Sequence, residues 1–182
     1  MILIDTGPLV AAFDPSEPGH VACGRTLSAL RDEAVTTTPA LTEAFHLLAR
    51  RQRACRGLMD LVLDGPLAVS RLEDGDLQRC FDLIVRYADT PMDFADASLV
   101  CVGERFGIDR VFTFDRRHFS VYRMRRGYRH VPFTIIELEG PEPTTVRELA
   151  EPYGVRPPES IAESALRDVR EALDRLDRIL TR

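Results

Sequence analysis

Apolar residues recur along this chain in two alternating rhythms. Short unbroken runs rich in β-branched residues are separated by longer segments in which apolar positions return every three or four residues. The short runs are Ile2-Leu3-Ile4 and residues 34–37, 67–69, 111–114 and 133–136, and each predicts a strand. The longer segments predict helices over residues 8–13, 20–31, 38–53, 56–63, 73–87 and 92–106. The punctuation agrees with this division. Gly7-Pro8 stops the first strand, Asp14-Pro15 and Pro18-Gly19 separate the first two helices, and Gly65-Pro66 ends the fourth. Thr38-Pro39 supplies a hydroxyl N-cap with proline at the first helical position, Thr90-Pro91 opens a later helix, and Gly107 closes it. Residues 116–129 read as a loop or short helix.

Strands alternating with helices predict an α/β/α sandwich around a mainly parallel sheet. An apolar run without alternation, such as residues 2–4, suits a strand covered on both faces, so the first strand is expected at the centre. The α/β pattern fills residues 1–138. Residues 139–158 are proline-rich and read as a linker. Residues 159–182 predict an amphipathic helix, in which Ala162, Leu166, Val169, Leu173, Leu176 and Leu180 form a seam at spacings of four and three.

Composition narrows the picture. The 182 residues are 45% hydrophobic and carry a net charge of −5, which fits one globular domain with an appendage and no overall basic surface. All 24 cationic side chains are arginine. Every cationic contact is therefore a planar guanidinium capable of paired hydrogen bonds. Cys23, Cys55, Cys80 and Cys101 are far apart in sequence and form no C-x-x-C motif, so they read as isolated, buried, reduced thiols rather than a zinc or redox site. With no basic leader and no apolar stretch near the ~18 residues a membrane helix needs, the expected location is the cytoplasm.

The candidate chemistry lies in five carboxylates. Asp5 and Asp115 each follow an apolar strand, where ligands of open α/β sheets bind. Asp93 and Asp96 are three residues apart at a helix start and share a face. Glu43 lies one turn into the helix after Thr38-Pro39. Each has a plain structural alternative: Asp5 and Asp93 as helix-start acids, Asp115 as a salt-bridge partner of Arg116 and Arg117, Glu43 as a surface residue. Together they make a cluster whose mutual repulsion a hard divalent cation would relieve.

These residues resemble the PIN-domain family, and within it the VapC-type ribonuclease toxins of toxin–antitoxin pairs. The resemblance runs over residues 1–137 and rests on Ile2-Leu3-Ile4-Asp5-Thr6, on Glu43 within Pro39-Ala40-Leu41-Thr42-Glu43-Ala44, on Pro91-Met92-Asp93-Phe94-Ala95-Asp96-Ala97-Ser98-Leu99, and on Thr113-Phe114-Asp115. It implies a Mg²⁺- or Mn²⁺-dependent endoribonuclease that dimerises and is inhibited by a cognate antitoxin. It further implies that Asp5, Glu43, Asp96 and Asp115 are catalytic metal ligands, with Asp93 an additional one and Thr6 and Thr113 in support. The tail beyond residue 140 has no counterpart in that pattern. Its seam is expected to pack on its own domain or on a second copy, or to occupy the groove of an antitoxin helix.

Arg116, Arg117, Arg123, Arg125, Arg126 and Arg129 crowd beside Asp115 with His118 and His130, and Phe119, Tyr122 and Tyr128 are interleaved. Arginines with aromatics suit single-stranded RNA, guanidinium to phosphate and ring to base; a solvated charged loop is the alternative. The two histidines are expected to stand apart from a hard-cation site. Asp5-Thr6-Gly7 also matches the triplet of aspartic proteases, but those need a second triplet on a β-rich scaffold. Phosphatases and receiver domains that open on a strand-end Asp need a lysine, which is missing. A catalytically silent PIN-fold module that binds RNA or protein is the remaining alternative.

Overall fold

The computed structural model describes residues 1–30 and 32–138. The expected linker and seam helix lie outside the described residues. In chain order the elements are β1 (Ile2–Ile4), α1 (Thr6–Phe13), α2 (His20–Ala29), β2 (Ala34–Thr37), α3 (Thr38–Leu48), α4 (Gln52–Leu63), β3 (Leu67–Ser70), α5 (Asp74–Arg86), α6 (Phe94–Phe106), β4 (Arg110–Phe112), α7 (Arg116–Val121), β5 (Arg123–Arg126), β6 (Arg129–Pro132) and β7 (Thr134–Ile135).

Five strands pair in the order β3-β2-β1-β4-β7, and every neighbouring pair is parallel. The strand with the most continuous apolar run is the central one: Ile2, Leu3 and Ile4 have no exposed surface. Alternation sends Leu3 to one face, where it joins Val35, Val111, Leu83, Leu99 and Phe133. Ile2 and Ile4 point to the other face. Helix α1 packs there against α2, α3 and α4, while α5 and α6 pack on each other. The chain steps from β1 to β2 and β3 on one side, then crosses back to β4 on the other. That reversal opens a crevice at the carboxyl ends of β1 and β4.

Gly103 shows how tightly α6 lies on the sheet. A Cβ there would sit 2.9 Å from the Ile108 carbonyl oxygen, 3.2 Å from a Leu3 methyl and 3.3 Å from the Phe133 ring. Gly103→Ala is therefore expected to lose about 1–3 kcal/mol by overpacking, against the gain of up to ~1 kcal/mol that alanine brings to a free helix. Thermal unfolding of the variant measures the sign; a rise in Tm would contradict the close packing.

Three local expectations are corrected. The N-cap of α3 is Thr37, whose hydroxyl accepts from the Ala40 amide at 3.3 Å, because β2 runs straight into the helix. The single helix expected over residues 38–53 breaks after Leu48, whose carbonyl accepts the Arg51 amide and the Cys55 thiol instead of continuing the ladder. The arginine-rich segment, expected as a loop or short helix, is a short helix only over its first six residues. It folds as α7 followed by an antiparallel hairpin in which Arg126 pairs with Arg129. Gly127, at φ 61, takes the first position of its two-residue turn. The hairpin has one deeply buried side chain, Met124, so its alternation is too weak to read in sequence.

The cysteines are free, as expected, but not all isolated. Cys80 on α5 and Cys101 on α6 place their sulfurs 3.3 Å apart. Among the described residues no helix is long and apolar enough to cross a membrane.

Candidate active site

Parallel strands with helices returning antiparallel to them put the N-termini of α1, α3, α6 and α7 at one edge of the sheet. The five acids come to that edge with them. Three of the acids begin helices. Asp5 is the N-cap of α1 and accepts from the Thr6 amide at 2.6 Å. Asp93 is the N-cap of α6 and accepts from the Asp96 amide at 2.8 Å. Asp115 is the N-cap of α7 and accepts from the His118 amide at 3.0 Å. Capping and clustering are thus the same geometry: side chains that reach a helix N-terminus at this edge necessarily converge.

Two threonines tie the acids together. The Thr113 hydroxyl donates to Asp5 Oδ2 at 2.6 Å and accepts from the Asp115 amide at 2.9 Å. The Thr6 hydroxyl donates to Glu43 Oε2 at 2.9 Å and contacts the Ala40 carbonyl at 3.2 Å. Asp5 is therefore held at both oxygens, one by the helix it caps and one by the next strand. Asp5 and Asp96 are each only 8% exposed. Asp115 is half-buried, and Glu43 and Asp93 are exposed at the rim.

Burial raises the Asp5 pKa to about 6, with added repulsion from Asp93 and Glu43; the Thr113 and Thr6 hydrogen bonds oppose the rise. Asp96 is pushed up to about 8, first by burial and then by Asp93, Asp5 and Asp115, against a hydrogen bond from Tyr122. Two buried carboxyl groups whose ionisation is disfavoured, in a cluster of acids, are relieved by a cation. The oxygen-rich donor set fits a hard divalent ion such as Mg²⁺ or Mn²⁺.

Two residues at the centre of this cluster were not expected there. His118 Nδ1 lies 2.5 Å from Asp115 Oδ2, and Asp96, Asp115 and His118 each offer a donor atom within 4.8 Å of the others. The expectation that His118 stands apart from the site is corrected. Its position three residues beyond a capping acid was the available signal. Tyr122 is fully buried, and its hydroxyl donates to Asp96 Oδ2 at 3.3 Å and to the Pro91 carbonyl at 3.0 Å. Nothing local in the sequence marks it.

The arginines divide. Arg123 folds back on the end of α7 and donates to the carbonyls of Ser120, Val121 and Tyr122 at 2.7–2.8 Å. Arg116 pairs with Glu137, and Arg126 with Asp109 at 3.6 Å. The exposed Arg117 and Arg125 side chains have no carboxylate partner among the described residues. Of the interleaved aromatics, Phe119 and Tyr122 are core residues and only Tyr128 is exposed, so two of the three expected base platforms are unavailable. Asp115 pairs with His118 rather than with the arginines that follow it. A groove of about 900 Å³ opens beside the acids, walled by Thr38, Pro39, Glu43, Arg71, Asp93 and Phe94.

A sequence model of the PIN domain matches residues 2–124. The chain belongs to the PIN-domain family. It is similar to Ribonuclease VapC26 of Mycobacterium tuberculosis, at 29% identity over 137 residues, which is 74% of this chain and 99% of that protein. Its PIN fold is shared with the crystal structure of VapC20 from Mycobacterium tuberculosis, described as a sarcin-ricin loop cleaving toxin. The TM-score is 0.60 and the identity 22%, over 65% of this chain and 92% of that one. A toxin–antitoxin complex from Klebsiella pneumoniae has TM-score 0.52 and 16% identity, over 66% of this chain and 91% of that one.

Proposed function

We propose that this PIN-domain protein is a divalent-metal-dependent endoribonuclease and the toxin of a toxin–antitoxin pair, with an antitoxin protein as its partner. The observation that carries the reading is the convergence of Asp5, Asp96 and the half-buried Asp115 at the carboxyl edge of β1 and β4, with Asp5 and Asp96 buried enough to favour a bound cation over bare charge. The likeness to Ribonuclease VapC26, across nearly all of that protein, supports RNA as the substrate. Asp5, Asp96 and Asp115 would hold one or two Mg²⁺ or Mn²⁺ ions, with Asp93 and Glu43 at the rim.

A cation in this place supplies Lewis-acid polarisation of the phosphate and of water at neutral pH. The chain's own groups do the rest. Thr113 and Thr6 fix the orientation of Asp5. Thr6 also engages one oxygen of Glu43, leaving the other to orient the attacking water and accept its proton. The groove beside Glu43 and Asp93 gives a single strand access, with Arg71 on its wall to meet a phosphate. A homodimer is supported by the exposed stripe of Leu77, Phe81 and Val85 at helical spacing on α5.

The test is incubation of the purified protein with a panel of RNAs in Mg²⁺ or Mn²⁺, then with EDTA. Cleavage that survives EDTA would refute the metal-dependent reading. The unpaired arginines carry a second expectation. Arg117→Ala combined with Arg125→Ala should weaken RNA binding by a chelated protein and reduce the salt slope of log K by about 1 to 2. Fluorescence anisotropy across a salt series measures this, and an unchanged slope would remove both side chains from the RNA path.

A further inference from the structure

We infer that His118 is a nitrogen ligand of the cation site and that the site therefore selects Mn²⁺ over Mg²⁺. This deepens the cation-site reading above and rests on it. The family resemblance supplies carboxylates alone; the nitrogen comes from the geometry of this chain. Among the described residues, Asp96, Asp115 and His118 form the one group of three side chains with mutually close donor atoms, all within 4.8 Å.

The imidazole is fixed there from three directions. Its backbone amide donates to Asp115 Oδ1 at 3.0 Å, so the first turn of α7 holds the residue beside that acid. Its Nδ1 lies 2.5 Å from Asp115 Oδ2. Its ring stacks on Tyr122, with centroids 6.1 Å apart and planes inclined by 20°, and the Tyr122 hydroxyl reaches Asp96 Oδ2. One aromatic pair thus connects the histidine to both acids. Turning the ring away would break its contact with Asp115 and its stacking on Tyr122 together. A cation held by Asp96 and Asp115 would displace the proton that His118 Nδ1 shares with Asp115, releasing it to solvent, and so would meet that nitrogen as a neighbour.

Ligand chemistry then sets the preference. Mg²⁺ is hard, keeps waters and takes oxygen, whereas imidazole suits the later divalent metals. Mn²⁺ accepts carboxylate and imidazole in one shell. A site of two carboxylates and one imidazole gives Mn²⁺ a ligand that Mg²⁺ uses poorly.

The rival role for His118 is to position Asp115 through a hydrogen bond without touching the cation. His118→Asn separates the two, because its side-chain amide still donates toward Asp115 but brings no imidazole nitrogen. The probes are Mn²⁺ and Mg²⁺ alone, without RNA, on the full chain. In electron spin-echo envelope modulation, Mn²⁺ bound to the wild type should show coupling to a directly ligated ¹⁴N, and His118→Asn should abolish it. By calorimetry the wild type should prefer Mn²⁺ by about tenfold or more. The variant should lose about tenfold in Mn²⁺ affinity while its Mg²⁺ affinity stays within about threefold. Unfolding of the metal-free variant at wild-type temperature verifies its fold; if Asn unfolds, the ¹⁴N coupling of the wild type decides alone.

Absence of ¹⁴N coupling in the wild type, or Mn²⁺ affinity retained in His118→Asn, overturns the inference and leaves a positioning residue. Mn²⁺ binding that is absent, or that persists unchanged in both Asp96→Asn and Asp115→Asn, instead overturns the cation-site reading itself.

Discussion

Asp5→Asn is expected to lower RNA cleavage by about a thousandfold or more while leaving the fold intact or firmer. Loss of one preorganised charge contact at a reacting centre costs on that order. The amide has the shape of the carboxylate, so both existing contacts can be rebuilt. Its oxygen can accept from the Thr6 amide, and its nitrogen can donate to the Thr113 hydroxyl, which already accepts from the Asp115 amide. What disappears is a negative charge that burial makes costly without a cation. In EDTA the variant should therefore melt at or above the wild-type temperature, and in Mg²⁺ it should gain less than the wild type does. Paired cleavage assays and thermal melts read both halves. A variant that cleaves RNA at the wild-type rate would remove Asp5 from the chemistry, whereas one that unfolds would show a purely structural cap.

The metal-free protein should lose stability as pH rises from about 4 to about 8, and added divalent cation should cancel most of that loss. Asp5 and Asp96 have an ordinary pKa of 3.8 when unfolded and about 6 and about 8 when folded. Between those limits the folded state binds more protons than the unfolded chain, so the stability falls with pH. Their stabilisation is complete below the unfolded value. Asp5 loses its share, on the order of 3 kcal/mol, by about pH 6, and Asp96 goes on losing to about pH 8. The groups facing Asp96 are Asp93, Asp5, Asp115 and the Tyr122 hydroxyl, with His118 behind Asp115. Asp96→Asn should flatten the profile above about pH 6 and leave a shallower fall, from Asp5, below it. Melting curves in EDTA at pH 5, 6, 7 and 8, with and without Mg²⁺, test the sign; a profile rising with pH, or a metal effect larger at pH 5 than at pH 8, would contradict it.

These two expectations rest on different kinds of legibility. That Asp5 lies at the end of the central strand was readable from its place after Ile2-Leu3-Ile4, since an unalternating apolar run implies a central strand, and ligands collect beyond its carboxyl end. The pairing of Asp115 with it required only that the two strands be parallel neighbours, as β1 and β4 are. The pKa values were not readable. They depend on how deeply each carboxyl sits and on which hydroxyls reach it, and Thr113 and Tyr122 come from elements 108 and 26 residues away.

The arginine-rich segment marks the limit more sharply. Six arginines and three aromatics between residues 116 and 129 have the composition of an RNA-binding loop. Composition says nothing of which face each takes. Once the segment folds into α7 and the β5–β6 hairpin, Phe119 and Tyr122 turn into the core, Arg123 caps a helix end, and Arg117 and Arg125 stay free.

The amino-acid sequence by itself thus determined the α/β alternation, the central strand and the family, because periodicity and turn residues are local and repeat within a few residues. The tertiary structure alone decided that His118 and Tyr122 join the acids, that Thr6 and Thr113 bind Asp5 to Glu43 and Asp115, and which arginines remain unpaired. Those are contacts between residues distant in sequence. They exist only where the parallel sheet brings four helix N-termini to one edge, and no local pattern encodes the partner on the other side.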